Sequence, residues 1–280
     1  MEIIVSEHSG YCYGVKKAID TAMEKMDEKG ILYSFGDIIH NKRAIQRLSD
    51  NGLIVVNDIK SEYESILFRS HGVEKNIYTL AKQKGVEVID ATCVFVKKIQ
   101  DIVEQNYQSG KNIIIAGDKN HPEVIGINSR ADYTAIFITS AEDVDKLDID
   151  LDKEYILVFQ TTFNTQKYET IVDKIKAKYK NITIFNTICS ATKKRQDSAV
   201  ELAKKVDLMI VIGDKKSSNS KKLFELTAKY VKSVFIEDKK ELESYDFDGI
   251  NKAGITAGAS TPDFVIEEVI DYIKSISKNQ

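Results

Sequence analysis

Cysteine, proline and long apolar runs are all scarce in this chain of 280 residues. The chain has three cysteines, an odd and small number that argues against a disulfide framework. Its two prolines, Pro122 and Pro262, leave no room for a proline-rich linker. The longest apolar runs, such as LMIVI, have the length of a buried strand and are too short to span a bilayer. These shortages argue against a disulfide-stabilised secreted protein and against a membrane protein.

A large net charge of either sign is missing as well. Lysine and arginine together number 40 and aspartate and glutamate 43, which gives a net charge of −3. Because no long basic run is present, binding to nucleic acid has no electrostatic support. The N-terminus opens into EIIV without a basic segment or a small-residue cleavage site, so we expect no signal peptide and a cytoplasmic protein.

All the cysteines occur in one recurring pattern. Each is followed, four and five residues later, by two lysines; the cysteines are Cys12, Cys93 and Cys189. An apolar run that ends in Gly-Asp comes next, and each glycine lies 24 residues after its cysteine: Gly36, Gly117 and Gly213. Four residues further along stand His40, His121 and Ser217. Equal spacings of this kind indicate an internal threefold repeat.

The repeat also predicts the fold class. An extended apolar stretch precedes each cysteine, a helical pattern follows it, and the Gly-Asp strand completes a predicted βαβ unit. Further strands and helices alternate, which indicates parallel sheets. We therefore expect an α/β protein of three similar parallel-sheet lobes, at residues 1–93, 94–187 and 188–280, in a pseudo-threefold arrangement. Ligands bind beyond the carboxyl ends of parallel strands, so such an arrangement would bring the three cysteines together at its centre.

Three cysteines at strand-to-helix turns are candidate metal ligands. A helix N-terminus favours the thiolate form of the cysteine before it. Three thiolates suit zinc or an iron–sulfur cluster, and with only three protein ligands one metal position stays open for substrate. A lone cysteine is usually a small buried structural residue, but three at equivalent repeat positions favour a shared ligand role.

Candidate polar residues follow other predicted strand ends. His71 lies in FRSHG after the apolar run SILF, and the matching ends in the other two lobes read VFQTT and ITAGAS. Thr161, Thr162 and Ser260 therefore fall in the same kind of place as His71. His8 has no equivalent in the repeat, and we expect it at the surface.

Two further stretches carry candidate chemistry. Glu123 comes two residues after His121 and could deliver protons beside an open metal site, although a solvated loop acid is an equal alternative. The run KKSSNSKK offers hydroxyls and an amide at the start of a helix, a composition typical of anion binding. Alone that run is weak evidence, since serine and asparagine also cap helices.

Taken together, these stretches resemble the 4-hydroxy-3-methylbut-2-enyl diphosphate reductase family, which acts last in the non-mevalonate isoprenoid pathway. The resemblance extends along nearly the whole chain and is carried by GYCYGVKKAI, GDIIHN, SHGV, DATC, HPEVIG, QTT, TICSAT, RQ, SSNS and TAGASTPD. It implies three α/β lobes around a central [4Fe–4S] cluster with one open iron site. It also implies one-electron donation by ferredoxin or flavodoxin, and isopentenyl and dimethylallyl diphosphates as products.

The resemblance assigns roles residue by residue. It implies that the cluster ligands are Cys12, Cys93 and Cys189. The diphosphate-binding residues that it implies are His40, His71, His121, Ser217, Ser218, Asn219 and Ser260. It matches the residue that holds the substrate hydroxyl to Thr161, with Thr162 beside it, and the proton-delivering acid to Glu123. In the reaction that it implies, Glu123 supplies a proton by way of Thr161 and the diphosphate, two electrons pass through the cluster, the C–O bond cleaves and water leaves.

Two positions depart from the family pattern. Val94 stands where proline usually follows the second cysteine, and proline there would preset the first helical turn. Gln100 stands where many members have histidine. Neither departure removes a residue to which the resemblance assigns a catalytic role.

Two other functions fit three thiolates. A zinc hydratase or hydrolase would use the same ligands but would be colourless, whereas an iron–sulfur protein absorbs visible light. A non-catalytic iron–sulfur sensor would also fit, but a sensor has no use for the predicted diphosphate site.

The cysteine assignment predicts three equivalent variants. Replacing any one of Cys12, Cys93 or Cys189 by serine should remove the cluster and nearly all activity, because each thiolate is one of three ligands. Iron and sulfide content per chain, measured under anaerobic conditions beside turnover, checks this. One variant with a full iron load and normal turnover would contradict the three-ligand assignment.

Overall fold

The computed structural model describes residues 1–277, which form twelve strands and ten α-helices. The strands are β1 (Glu2–Val5), β2 (Leu32–Phe35), β3 (Leu53–Val56), β4 (Ser65–Phe68), β5 (Glu87–Asp90), β6 (Asn112–Ala116), β7 (Ile136–Ile138), β8 (Tyr155–Phe159), β9 (Ile182–Ile184), β10 (Leu208–Ile212), β11 (Ser233–Ile236) and β12 (Lys252–Ala257). The helices are α1 (Tyr13–Lys29), α2 (Lys42–Ser49), α3 (Lys75–Gln83), α4 (Val94–Gln108), α5 (Pro122–Asn128), α6 (Ala141–Asp145), α7 (Thr165–Lys178), α8 (Ser190–Ala203), α9 (Ser218–Thr227) and α10 (Asp263–Ser277). Within this described part of the chain, no helix is both long enough and apolar enough to cross a membrane.

The strands form three four-stranded sheets, and all neighbouring strands in them run parallel. The strand orders are β3-β2-β4-β5, β7-β6-β8-β9 and β11-β10-β12-β1. These orders are the same once strands are matched by their place in the repeat. The prediction of an α/β protein with three parallel-sheet lobes is therefore confirmed.

The Gly-Asp loops are equivalent in detail. Each of the three glycines donates its backbone N–H to the carbonyl of the last residue of the neighbouring strand. The bonds are Gly36 to Val56 (2.8 Å), Gly117 to Ile138 (3.0 Å) and Gly213 to Ile236 (2.8 Å). The 24-residue spacing thus marks one loop structure that occurs three times.

The strand before each cysteine forms an edge of its sheet. Among residues 1–277, β1 pairs only with β12, β5 only with β4, and β9 only with β8. The helix after each cysteine then leads into the next sheet, since β2, β6 and β10 belong to different sheets from β1, β5 and β9. The prediction that strand, helix and Gly-Asp strand form one βαβ unit is therefore wrong. Periodicity identifies strands but does not say which sheet a strand joins.

The chain divides into two compact units. The first unit contains residues 1–16, 39–47 and the chain from Ser190 onward, and it holds the β11-β10-β12-β1 sheet. The second unit contains residues 17–38 and 48–189 and holds the other two sheets. The predicted lobe boundaries near residues 93 and 187, and the pseudo-threefold arrangement of the lobes, stay predictions.

Both faces of the β7-β6-β8-β9 sheet are buried. Ile114 and Leu157 pack into an apolar cluster on one face, while Ile113 and Val158 pack into another cluster on the opposite face. Successive side chains of a strand point to opposite faces, so a strand covered on both sides reads as a continuous apolar run. The runs YILVF and LMIVI are entirely buried for this reason, and each fully buried aliphatic side chain contributes about 1.5–3 kcal/mol.

Candidate active site

Each cysteine lies between the end of an edge strand and the first residue of a helix. The helices that follow begin at Tyr13, Val94 and Ser190. All three cysteines are partly exposed, and none is in a disulfide. The three cysteines therefore occupy equivalent places, directly before a helix N-terminus.

One backbone hydrogen bond holds each cysteine against the neighbouring strand. The cysteine N–H donates to the carbonyl of the residue two positions after that strand ends. The pairs are Cys12 with Ala259 (3.1 Å), Cys93 with Ser70 (3.0 Å) and Cys189 with Thr161 (3.0 Å). By this match the next residues, His71, Thr162 and Ser260, are equivalent, and Thr161 corresponds to Ser70.

Glu123 and Thr161 form the most tightly bonded pair among the predicted site residues. Glu123 is the second residue of α5, and its side chain is buried, with 1% of its surface exposed. Its Oε1 accepts the Thr161 backbone N–H and its Oε2 accepts the Thr161 hydroxyl, each at 2.6 Å. The hydroxyl contact lies within the short range of O–H···O hydrogen bonds to carboxyl groups. Because Glu123 is buried and both of its oxygens bond to Thr161, it is not a solvated loop acid.

His121 caps the N-terminus of α5. Its Nδ1 accepts the backbone N–H of Glu123 at 3.2 Å, while Pro122 occupies the first helical position. An imidazole that accepts at Nδ1 carries its proton on Nε2, so Nε2–H is the donor that His121 offers. The ring of His71 meets the ring of His121 edge to face, with centroids 5.3 Å apart. Two of the predicted diphosphate residues therefore lie side by side.

Helix α9 carries three further predicted site residues. Ser217 is its N-cap and accepts the backbone N–H of Ser220 at 3.4 Å, and Ser218 is the first helical residue. Asn219 follows and is buried, with 4% exposed, yet neither Oδ1 nor Nδ2 has a hydrogen-bond partner among residues 1–277. Buried amides normally have partners, so the Asn219 side chain is suited to a ligand rather than to the fold.

The remaining predicted residues, His40, Thr162 and Ser260, follow the ends of β2, β8 and β12. The Ser260 hydroxyl donates to the backbone carbonyl of His40 at 2.8 Å. His40 comes one residue before the N-cap of α2, Asn41, whose side chain accepts the backbone N–H of Ala44 at 2.9 Å. Thr162 is half-buried, and its hydroxyl has no partner within the described chain.

Two buried residues beside the site were missed as candidates. Gln160 precedes Thr161, and its Oε1 accepts the backbone N–H of Asp118 at 3.2 Å, which joins the two loops of that sheet. Arg195 donates to the carbonyl of Gly10, just before Cys12, at 2.6 Å. Arg195 lies in the RQ pair that contributed to the family resemblance, but that pair suggested no contact.

Burial shifts the pKa of two side chains near the predicted site residues, whereas the lysines after the cysteines are solvated. Burial, together with the charge of Asp263, raises the pKa of Tyr11 to about 12, so the phenol before Cys12 stays neutral at ordinary pH. Burial lowers the pKa of Arg69, two residues before His71. The lysine pairs after the cysteines lie toward solvent, where Lys97 pairs with Asp90 at 2.7 Å. The recurrence of lysine therefore marks solvated helix faces.

The fold defines an α/β protein of three parallel sheets, each of which has a cysteine and polar side chains beyond the carboxyl ends of its strands. The chain belongs to the LytB family: the family model described as LytB protein matches residues 3–274. It is 45% identical to the 4-hydroxy-3-methylbut-2-enyl diphosphate reductase of Caldanaerobacter subterraneus subsp. tengcongensis, over 99% of this chain and 98% of that protein. It is 43% identical to the reductase of the same name from Clostridioides difficile, over 99% and 100% of the two chains.

A solved structure supports the same relationship. The E-1-hydroxy-2-methyl-but-2-enyl-4-diphosphate reductase of Plasmodium falciparum superposes with a TM-score of 0.91 at 31% sequence identity. The match covers 99% of this chain and 88% of that one. The resemblance drawn from the sequence motifs is thereby confirmed, and it favours a reductase over a zinc hydratase or a sensor.

The unpartnered amide of Asn219 generates a binding prediction. Asn219→Ala should weaken the binding of inorganic diphosphate by roughly 10- to 150-fold, since a hydrogen bond to a charged group contributes about 1.5–3 kcal/mol. The melting temperature should change little, because the amide has no hydrogen-bond partner among the described residues. Titration calorimetry measures the affinity, with the exposed Asn251→Ala as the matched control.

Ser217→Ala is a less selective variant, because it also removes a helix cap that contributes about 1 kcal/mol. If Asn219→Ala binds inorganic diphosphate as tightly as Asn251→Ala does, the amide is not a ligand for the anion.

Proposed function

We infer that this protein reduces 4-hydroxy-3-methylbut-2-enyl diphosphate to isopentenyl and dimethylallyl diphosphates, the last step of the non-mevalonate isoprenoid pathway. The observation that carries this function is the match to curated reductases along 99% of this chain at 43–45% identity. The reaction consumes two electrons and two protons and releases the substrate hydroxyl as water.

We propose that Cys12, Cys93 and Cys189 hold one [4Fe–4S] cluster. Support comes from their equivalent positions: each directly precedes the first residue of a helix, is free of disulfides and is partly exposed. Three soft thiolates favoured by helix N-termini fit such a cluster. When bound, the cluster would supply the two electrons and leave one iron open toward the substrate oxygen.

The diphosphate is proposed to bind to neutral donors and helix N-termini. The proposed ligands are His40, His71, His121, Ser217, Ser218, Asn219 and Ser260. The Nε2–H of His121 and the unpartnered amide of Asn219 are suited to phosphate oxygens. His121 and Asn219 lie in the first turns of α5 and α9, whose N-termini carry partial positive charge.

Glu123 and Thr161 are proposed to carry the proton. In its acid form, Glu123 gives a proton to the Thr161 hydroxyl, which passes its own proton to the departing substrate hydroxyl, so that water leaves. The second proton and the two electrons form the new C–H bond of the five-carbon product. The 2.6 Å contact between the two side chains supports this transfer. Thr162 is proposed to lie beside the substrate hydroxyl as a second polar contact.

We propose ferredoxin or flavodoxin as the electron donor and the cytoplasm as the location. A donor that transfers one electron at a time matches the chemistry of a cluster that must deliver two in sequence.

The function is tested by product identification. Anaerobically purified protein, reduced with dithionite through methyl viologen, should convert 4-hydroxy-3-methylbut-2-enyl diphosphate into the two five-carbon diphosphates, detected by mass spectrometry. A preparation with a full complement of iron and sulfide that yields neither product would contradict the proposal. Colourless protein that binds zinc and hydrates or hydrolyses the substrate would support the alternative enzyme class.

The proton path predicts the behaviour of Glu123→Gln. A glutamine can still accept the Thr161 backbone N–H, but its amide nitrogen then faces the Thr161 hydroxyl and supplies no transferable proton. We expect kcat to fall at least about 100-fold, the low end for general acid catalysis, with little change in cluster content or substrate affinity. Glu169→Gln, an exposed acid on α7, is the matched control. Normal kcat in Glu123→Gln would mean that the proton comes from another group.

A further inference from the structure

Gln100 is a buried polar residue that the proposed mechanism does not use. It lies in α4, seven residues or about two helical turns after Cys93, and 3% of its surface is exposed. Its Oε1 accepts a hydrogen bond from Arg130 Nη2 at 3.4 Å, and the Arg130 guanidinium lies 3.6 Å from the Glu104 carboxylate. Arg130 therefore holds the end of the Gln100 side chain in one orientation.

The other end of the carboxamide lies against two glycines. A β-carbon added to Gly72 would stand 2.8 Å from Gln100 Nε2, and one added to Gly126 would stand 3.3 Å from the same atom. A side chain at either position would meet the amide, so both glycines permit its close approach. Gly72 also has a φ of +75°, in the left-handed region that favours glycine.

These two glycines belong to the segments that carry the histidine pair. Gly72 directly follows His71, and Gly126 lies in α5, the helix that His121 caps. Gln100 thus contacts both segments from α4, the helix that begins after Cys93. The rings of His71 and His121 meet at 5.3 Å on these same two segments.

The Gln100 carboxamide stabilises the fold less than an apolar side chain in the same space would. Gln100 Nε2 has no hydrogen-bond partner within residues 1–277, and a buried donor without a partner is less favourable than an apolar group of the same size. An apolar chain of equal length would stabilise the fold more, but Arg130 could not fix its end. The observations therefore favour a requirement for a fixed side chain over one for stability.

We propose that Gln100 is a positioning residue: its Arg130-held carboxamide sets the separation of the His71–Gly72 turn from α5 and so aligns His71 and His121 for a diphosphate. The inference rests on the proposed function of the two histidines as diphosphate ligands. Gln100 touches no reacting atom, and it acts through the two segments that it separates.

The test compares Gln100→Met and Gln100→Ala with the same substitutions at Gln105, an exposed residue of the same helix. Methionine fills the space but is flexible and cannot accept from Arg130. Binding of inorganic diphosphate by calorimetry should weaken roughly tenfold or more in both Gln100 variants, the low end for one lost hydrogen bond to a charged group. The kcat/KM for the reductase substrate should fall about 100-fold, as expected when reacting groups shift by about 1 Å.

The decisive comparison is between affinity and stability. Gln100→Met should melt at or above the temperature of the wild-type protein and yet bind inorganic diphosphate weakly. If Gln100→Met binds as wild type does, or if affinity falls only in step with melting temperature, Gln100 is a structural residue and the inference is wrong. Failure of wild-type protein and the Gln105 variants to bind diphosphate or reduce substrate would instead contradict the proposed function.

Discussion

A single backbone hydrogen bond, made three times, fixes the position of the cysteines. In each sheet the cysteine N–H donates to the carbonyl two residues past the end of the neighbouring strand. Because the strands are parallel, that carbonyl lies at the same edge of the sheet as the Gly-Asp loop. The next residue along that strand end is His71, Thr162 or Ser260, so each cysteine is tied to a residue that we propose contacts the substrate.

The short helices beyond the Gly-Asp loops carry other residues that we propose act on the substrate. His121 caps α5 and Ser217 caps α9, and the second residues of these helices, Glu123 and Asn219, are both buried. Glu123 uses both of its oxygens on Thr161, whereas the Asn219 amide has no partner among the described residues. One helical position therefore serves two proposed purposes: proton transfer where it bonds to a threonine, and anion binding where it is unpartnered.

The sequence predicted much of this because equal spacing reports equal structure. The 24-residue interval from cysteine to glycine identified three equivalent loops, and the structure has the same hydrogen bond in each. Sheet membership could not be predicted, since β1 reaches its sheet through pairing with β12, far away in the chain. The contacts of Gln100 could not be predicted from the sequence either. They depend on Gly72 and Gly126, which are far from Gln100 in the chain or on another helix and approach it only in the folded protein.

We propose that three cysteines hold one [4Fe–4S] cluster whose fourth iron is open to the substrate. Mössbauer spectroscopy of protein loaded with ⁵⁷Fe, with and without 4-hydroxy-3-methylbut-2-enyl diphosphate, tests it most directly. The account predicts four iron atoms per chain, of which one differs from the other three and alone changes when substrate binds. Four equivalent irons that substrate leaves unchanged, or protein that binds no iron, would contradict it.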